Sequence, residues 1–132
     1  MTANKELIKV EKEKQNEWEE ALKKEAWVTP VVDIFETDDD YFLVVDIPGV
    51  SRENIKLKLE NGNLVIMGRI NYEKVINKTY IMQERNIGNF YREFKISDSI
   101  YHDKIEARYE NGQLLVRLPK DEKIKPKNIE IK

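Results

Sequence analysis

The chain has 132 residues, enough for one domain with a modest core. Charged residues make up 36% of it, yet the formal net charge is only -2, which argues against nucleic acid as the main partner because phosphate binding calls for a basic excess. There is no cysteine, so disulfides, thiolate chemistry and cysteine-ligated zinc are excluded, and the composition fits a reducing cytoplasm.

No apolar run approaches the roughly 18 residues of a membrane span. Met1 to Lys14 is too charged for a span or a signal peptide. From about Lys5 to Ala26 there is no Gly or Pro, and Glu and Lys dominate. Glu19/Lys23 and Glu20/Lys24 have the favourable i, i+4 order. Leu7, Val10, Trp18, Ala21 and Leu22 form an incomplete apolar stripe. The expectation is an N-terminal arm over residues 1–29, partly helical, either solvated or docked on a partner.

Strand-like runs follow. The first contains Val31, Val32, Ile34 and Phe35, and after the acidic turn Thr37-Asp38-Asp39-Asp40 the second runs from Tyr41 to Ile47. Pro48-Gly49 breaks it. Ile55, Leu57 and Leu59 then alternate with Lys56, Lys58 and Glu60, the period of a half-buried strand. Phe90, Arg92 and Phe94 alternate in the same way with Tyr91, Glu93 and Lys95. A last strand from Gln113 stops at Pro119. Two segments are near-copies of one hairpin: Ile55 to Ile66 turns at Asn61-Gly62, and Ile105 to Val116 turns at Asn111-Gly112. Asn-Gly supplies the positive φ angles of a tight hairpin turn. About seven short strands, with no helix between them, predict an all-β sandwich over residues 30–119.

Between Gly68 and Gln83 lies a polar excursion, long for a hairpin loop, with a β-prone patch Thr79-Tyr80-Ile81-Met82. Residues 120–132 form a charged extension that should be extended and mobile, ending in Ile129-Glu130-Ile131-Lys132. Two isoleucines on such a tail have no local core to join. They need an apolar groove on this chain or on a neighbour.

Credible catalytic chemistry is missing. The single histidine, His102, has no cysteine and no second histidine to complete a common zinc site. Asp98 and Ser99 near it are turn residues. Asp38-Asp39-Asp40 lacks the Gly and distal Glu of a calcium loop. The five glycines are scattered singly, so no phosphate-cradling loop is present and no nucleotide or other cofactor is expected.

Four segments, in order, carry a resemblance. Ala107-Arg108-Tyr109-Glu110-Asn111-Gly112-Gln113-Leu114 resembles the A-x-x-x-n-G-v-L signature of the α-crystallin domain, in which Ala107, Asn111, Gly112 and Leu114 are the matching positions. Asp46-Ile47-Pro48-Gly49-Val50 resembles the D-x-P-G-v segment of the small heat-shock proteins. Glu84 to Phe94 resembles their E-R-x-x-G-x-F-x-R-x-F segment, and Ile129-Glu130-Ile131 their I-x-I motif. The resemblance implies an immunoglobulin-like sandwich and an ATP-independent chaperone that holds partly unfolded clients under stress. It implies a homodimer made by strand exchange, in which Thr79, Tyr80, Ile81, Met82 and Glu84 pair with the partner's strand near Val32 to Glu36 and Arg92 meets Glu84 across the interface. It implies higher oligomers held by Ile129 and Ile131, docked in a groove formed around Ile55, Leu57, Leu59, Ile105 and Ala107. The chain departs from the family in its short charged arm, in Gln113 at an apolar signature position, and in Ile96-Ser97 where relatives often carry Leu-Pro. A protein-interaction module of the CS-domain type is the competing reading, although such domains generally lack the tail and the long excursion. An assembly subunit with little chaperone activity is a third.

Overall fold

The computed structural model describes residues 17–121 and 128–132. Leu7 and Val10 of the expected arm helix, and most of the expected linker, lie outside these residues. Helix α1 covers residues 17–24. Eight strands follow: β1 (Trp27–Val28), β2 (Val32–Glu36), β3 (Asp40–Asp46), β4 (Ile55–Glu60), β5 (Asn63–Gly68), β6 (Asn89–Lys95), β7 (Glu106–Glu110) and β8 (Gln113–Pro119). They form two four-stranded sheets, ordered β1-β6-β5-β4 and β2-β3-β8-β7.

Both Asn-Gly turns form as their sequence requires. Asn61 and Gly62 have φ of 53° and 79°, and Asn111 and Gly112 have 51° and 78°. Positive φ at both central residues matches the right-handed twist of the flanking strands. The turns pin the registers, so Glu60 faces Asn63 and Glu110 faces Gln113. In each hairpin the first strand becomes a sheet edge and the second lies inside the sheet.

Alternation puts Leu43 and Val45 of β3, Leu64 and Ile66 of β5, and Leu114, Val116 and Leu118 of β8 between the sheets. Ile47 and Val50 complete that core from the Pro48-Gly49 turn. Burying each large aliphatic side chain is worth roughly 1.5–3 kcal/mol, which makes this layer the main stabilising feature. The two signature segments meet at its edge. The Ile47 amide donates to the Gly112 carbonyl at 2.9 Å. The Tyr109 hydroxyl donates to the Val50 carbonyl at 2.6 Å. A Cβ on Gly112 would come within 3.3 Å of the Pro48 Cα, so the close approach as well as the positive φ favours glycine there. Gln113 is exposed and donates to Asp46 at 3.0 Å, so its polarity is tolerated on a solvated face.

Two details differ from the sequence expectation. The arm ends in a strand, β1, paired parallel with β6 at Trp27–Asn89 and Val28–Phe90. The excursion contains a short helix, α2 (Tyr72–Ile76), capped by the Asn71 side chain, which accepts from the Lys74 amide. The patch Thr79 to Met82 forms no strand within the single chain. The turn after Ile96-Ser97 is also well tied: the Ile100 amide donates to the Ser97 carbonyl at 3.1 Å, and Ser99 donates to the Ser97 hydroxyl.

Candidate functional site

Where the edges β4 and β7 run beside each other, the sandwich leaves a cleft of about 340 Å³. Its apolar lining comes from Ile55 and Leu57 of β4, Ala107 and Tyr109 of β7, and Leu114 of β8, with Arg52, Arg108 and Glu110 completing the lining. Strand period explains the arrangement. Ile55 and Leu57 share one face of β4, and Ala107 and Tyr109 share one face of β7, opposite the buried Val116 and Leu114. Of the five residues expected to form a groove, Ile55, Leu57 and Ala107 line this cleft. Ile105 is half-buried against the core, and Leu59 lies outside the lining with 40% of its surface exposed. Tyr109 and Leu114 are lining residues that alternation alone assigns to the core.

The tail isoleucines are not in this cleft. Ile129 and Ile131 are 88% and 94% exposed. A second exposed apolar zone is the outer edge of β2, which among the described residues pairs only with β3 and shows Ile34 and Phe35 to solvent. Phe35 stacks on Phe42 at 5.0 Å between ring centroids. In the excursion Ile81 is fully exposed, Met82 nearly so, and Tyr80, which donates to the Val75 carbonyl, less so. Thr79 and Glu84 are exposed as well. Arg92 and Glu84 are not paired with each other in the single chain. The Arg92 guanidinium donates to the Pro30 carbonyl at 3.0 Å and lies over the Phe94 ring.

The arm root forms a polar latch that the sequence did not announce. Asn89 is completely buried. Its side-chain oxygen accepts from the Ile70 amide at 3.0 Å, and its side-chain nitrogen donates to Glu25 at 2.7 Å. Arg69 donates to both oxygens of the same carboxylate, the shorter bond being 3.0 Å. The Asn89 amide donates to the Ala26 carbonyl. The Trp27 indole donates to the Ala21 carbonyl at 2.9 Å and meets the Tyr91 ring edge-on. Gly88 is required beneath this crossing, since a Cβ there would sit 2.8 Å from the Ala26 carbonyl oxygen.

At the other end, the tail leaves the sandwich beside Lys120. Its ammonium is buried against Glu36 of β2 at 2.6 Å and lies over the Tyr41 ring. The hydrogen bond to Lys120, and then its charge, hold the Glu36 carboxyl below its ordinary pKa; the same bond raises that of Lys120.

Comparison with known proteins assigns this architecture. A sequence model of the Hsp20/alpha crystallin family matches residues 33–132. The chain belongs to that family. Small heat shock protein C2 of Rickettsia felis is 39% identical over 104 residues, covering 78% of this chain and 68% of that protein. A 17.5 kDa class I heat shock protein of Glycine max is 38% identical over 110 residues, covering 80% and 72%. Among solved structures, a small heat-shock protein from Xylella fastidiosa superposes with a TM-score of 0.65 at 30% identity, over 81% of this chain and 99% of that one. The hspA of Xanthomonas axonopodis superposes at 0.63 and 34% identity, over 72% and 96%. The α-crystallin sandwich is thus the fold, and the holdase chaperone is the function that comes with it. The family is one of chaperones rather than enzymes. No described helix is long and apolar enough to cross a membrane.

Proposed function

We propose that this small heat-shock protein works in the cytoplasm, as a strand-exchanged homodimer that assembles further through its tail and releases that tail to expose binding surface to unfolding clients. Its working parts on this reading are an arm over 1–29, a sandwich over 30–119 and a docking extension over 120–132. The observation that carries the reading is the pairing of an open apolar cleft with two solvent-exposed isoleucines on the same polypeptide. A neighbour's Ile129 and Ile131 fill the cleft beside Ile55, Leu57 and Ala107. Burial gives roughly 1.5–3 kcal/mol per isoleucine, and ordering the extension offsets much of it. Each tail therefore exchanges, while many tails hold an assembly by avidity. The outer edge of β2 supports the dimer contact: Thr79 to Glu84 of one chain adds a strand beside Val32 to Glu36 of the other, and Glu84 meets Arg92. Arg92 retains unused donors for such a bond, having five N–H groups in all. The related Xylella protein forms a distinct high-order structure, which agrees with assembly beyond a dimer.

The test is heated-client aggregation without nucleotide, combined with native mass spectrometry of wild type and of Ile129→Ala/Ile131→Ala. Equimolar wild type should suppress light scattering, and the double variant should shift toward dimers. An unchanged size distribution removes the tail from the assembly. No suppression at several-fold excess favours an assembly subunit or a dedicated interaction module.

A further inference from the structure

The cleft is not merely apolar. Arg52, in the 3-10 turn before β4, and Arg108, on β7, line it, and neither has a carboxylate partner among the described residues. Two carboxylates on the edge strands are engaged elsewhere: Glu60 by Lys58 at 2.8 Å and Glu106 by Arg117 at 3.2 Å. Glu110 is the one lining carboxylate, leaving the lining with a net charge of +1. The tail carries the complementary pattern. Its last six residues, Lys127-Asn128-Ile129-Glu130-Ile131-Lys132, hold one acidic side chain, and it lies between the two isoleucines. In an extended segment Ile129 and Ile131 share one face and Glu130 points to the other. Seating the isoleucines therefore leaves the carboxylate at the rim, within the sweep of two long guanidinium side chains. Lys127 and Lys132, one on each side, are left for Glu110.

We propose that Arg52 and Arg108 make the cleft charge-selective, so that it takes the tail of a second copy of this chain by reading Glu130, and prefers in general an extended segment with an acidic residue between two aliphatic ones. This rests on the tail-docking reading above and adds to it a reason for choosing among apolar segments. An aliphatic segment with a basic centre meets two unpaired guanidinium groups and is disfavoured, which is how charge placement gives specificity where apolar burial alone gives little. Rim pairs are solvent-exposed, so each contributes modestly and salt screens it.

The receptor for the test is the full chain carrying Ile129→Ala/Ile131→Ala, which removes its own competing tail. The probe is a fluorescein-labelled synthetic peptide of residues 126–132, followed by anisotropy at about 0.01 M and about 1 M salt, between which the screening length falls from about 30 Å to about 3 Å. We expect Glu130→Gln in the peptide to weaken binding about threefold and Glu130→Lys about tenfold at low salt, with both differences shrinking at high salt. A receptor also carrying Arg52→Glu/Arg108→Glu should invert the order and take the Glu130→Lys peptide better. Equal affinity of all three peptides for the unaltered lining, with the Ile129→Ala/Ile131→Ala peptide inert, overturns charge reading and leaves docking intact. Failure of the wild-type peptide to bind more tightly than that Ala peptide overturns docking, and charge reading with it. Because the peptide and salt series leave the sandwich untouched, the outcome does not depend on the Arg variants folding.

Discussion

The two ends of the chain handle apolar side chains in opposite ways. The arm root carries Trp18 and Trp27 back onto its own sandwich, where Asn89, Glu25 and Arg69 hydrogen-bond it in place. The tail carries Ile129 and Ile131 away from the sandwich and leaves them in solvent. The difference lies in the polar groups. A buried amide and an ion pair have directional requirements that one geometry satisfies, so they fix a segment to one place. Two isoleucines have no such requirement and fit any apolar cleft of suitable width. One end is thereby committed within the chain, and the other is available to a neighbour.

That contrast is most exposed to Asn89→Ala. The substitution leaves the Ile70 amide without its acceptor and removes a donor from Glu25. The expected loss is about 2–4 kcal/mol, because buried groups left unpaired cost their full desolvation. Urea titration followed by Trp fluorescence measures it, and the emission should red-shift as Trp27 leaves Tyr91. The tail variant Ile129→Ala/Ile131→Ala, by contrast, should leave the folding midpoint of the dissociated chain unchanged. Similar midpoints for wild type and Asn89→Ala would mean that the arm is held by its aromatic contacts alone.

A smaller effect comes from Arg92→Ala, which removes the bond to the Pro30 carbonyl and the packing over Phe94. About 1–2 kcal/mol of single-chain stability should go with it. Glu84→Ala separates the two roles: it should weaken the dimer in dilution experiments while leaving the diluted chain as stable as wild type. If Glu84→Ala leaves dimer dissociation unaltered, Arg92 serves only to hold Pro30.

These regions also differed in how readily they could be read from sequence. The sandwich was legible because its signals are local: alternation in β4 and β6, and Asn-Gly at both turns. Apolar tail residues on a charged extension were equally plain. The latch was hidden because its members look ordinary where they stand. Glu25 is one more carboxylate in a Glu- and Lys-rich arm. Asn89 lies on the face of β6 that carries Tyr91, Glu93 and Lys95, a face the alternation assigns to solvent. The returning arm, 64 residues away in sequence, and the segment at Ile70 close over it. Helix α2 was missed for another reason, since its five residues are too few for a 3.6-residue period to register. The cleft stands between these cases. Ile55, Leu57 and Ala107 came with the family resemblance, but Arg52 comes from a turn whose approach to β7 no local pattern reports.

The smallest expected effect tests whether the tail's root shares the arm's kind of anchoring. Glu36→Gln removes the carboxylate that Lys120 holds at 2.6 Å. The folded-state pKa of Glu36 is lowered, so the pair's stabilisation is present above the unfolded carboxylate value of about 4.3 and fades as pH falls through the lower folded value. The folded-state pKa of Lys120 is raised, so on the alkaline side the contribution persists past the unfolded lysine value of about 10.4 and is lost only as pH rises through the folded one. Between those limits the difference in melting temperature between wild type and variant should be flat. It should narrow in the acid limb, and 1 M salt should narrow it at neutral pH, since Glu36 is exposed and screened. A gap that stays constant down to pH 3 would show that the carboxylate charge does not matter. The root would then be held by backbone bonds such as that from the Lys120 amide to the Asp39 carbonyl, and the directional side-chain anchoring seen at the arm would have no counterpart at the tail.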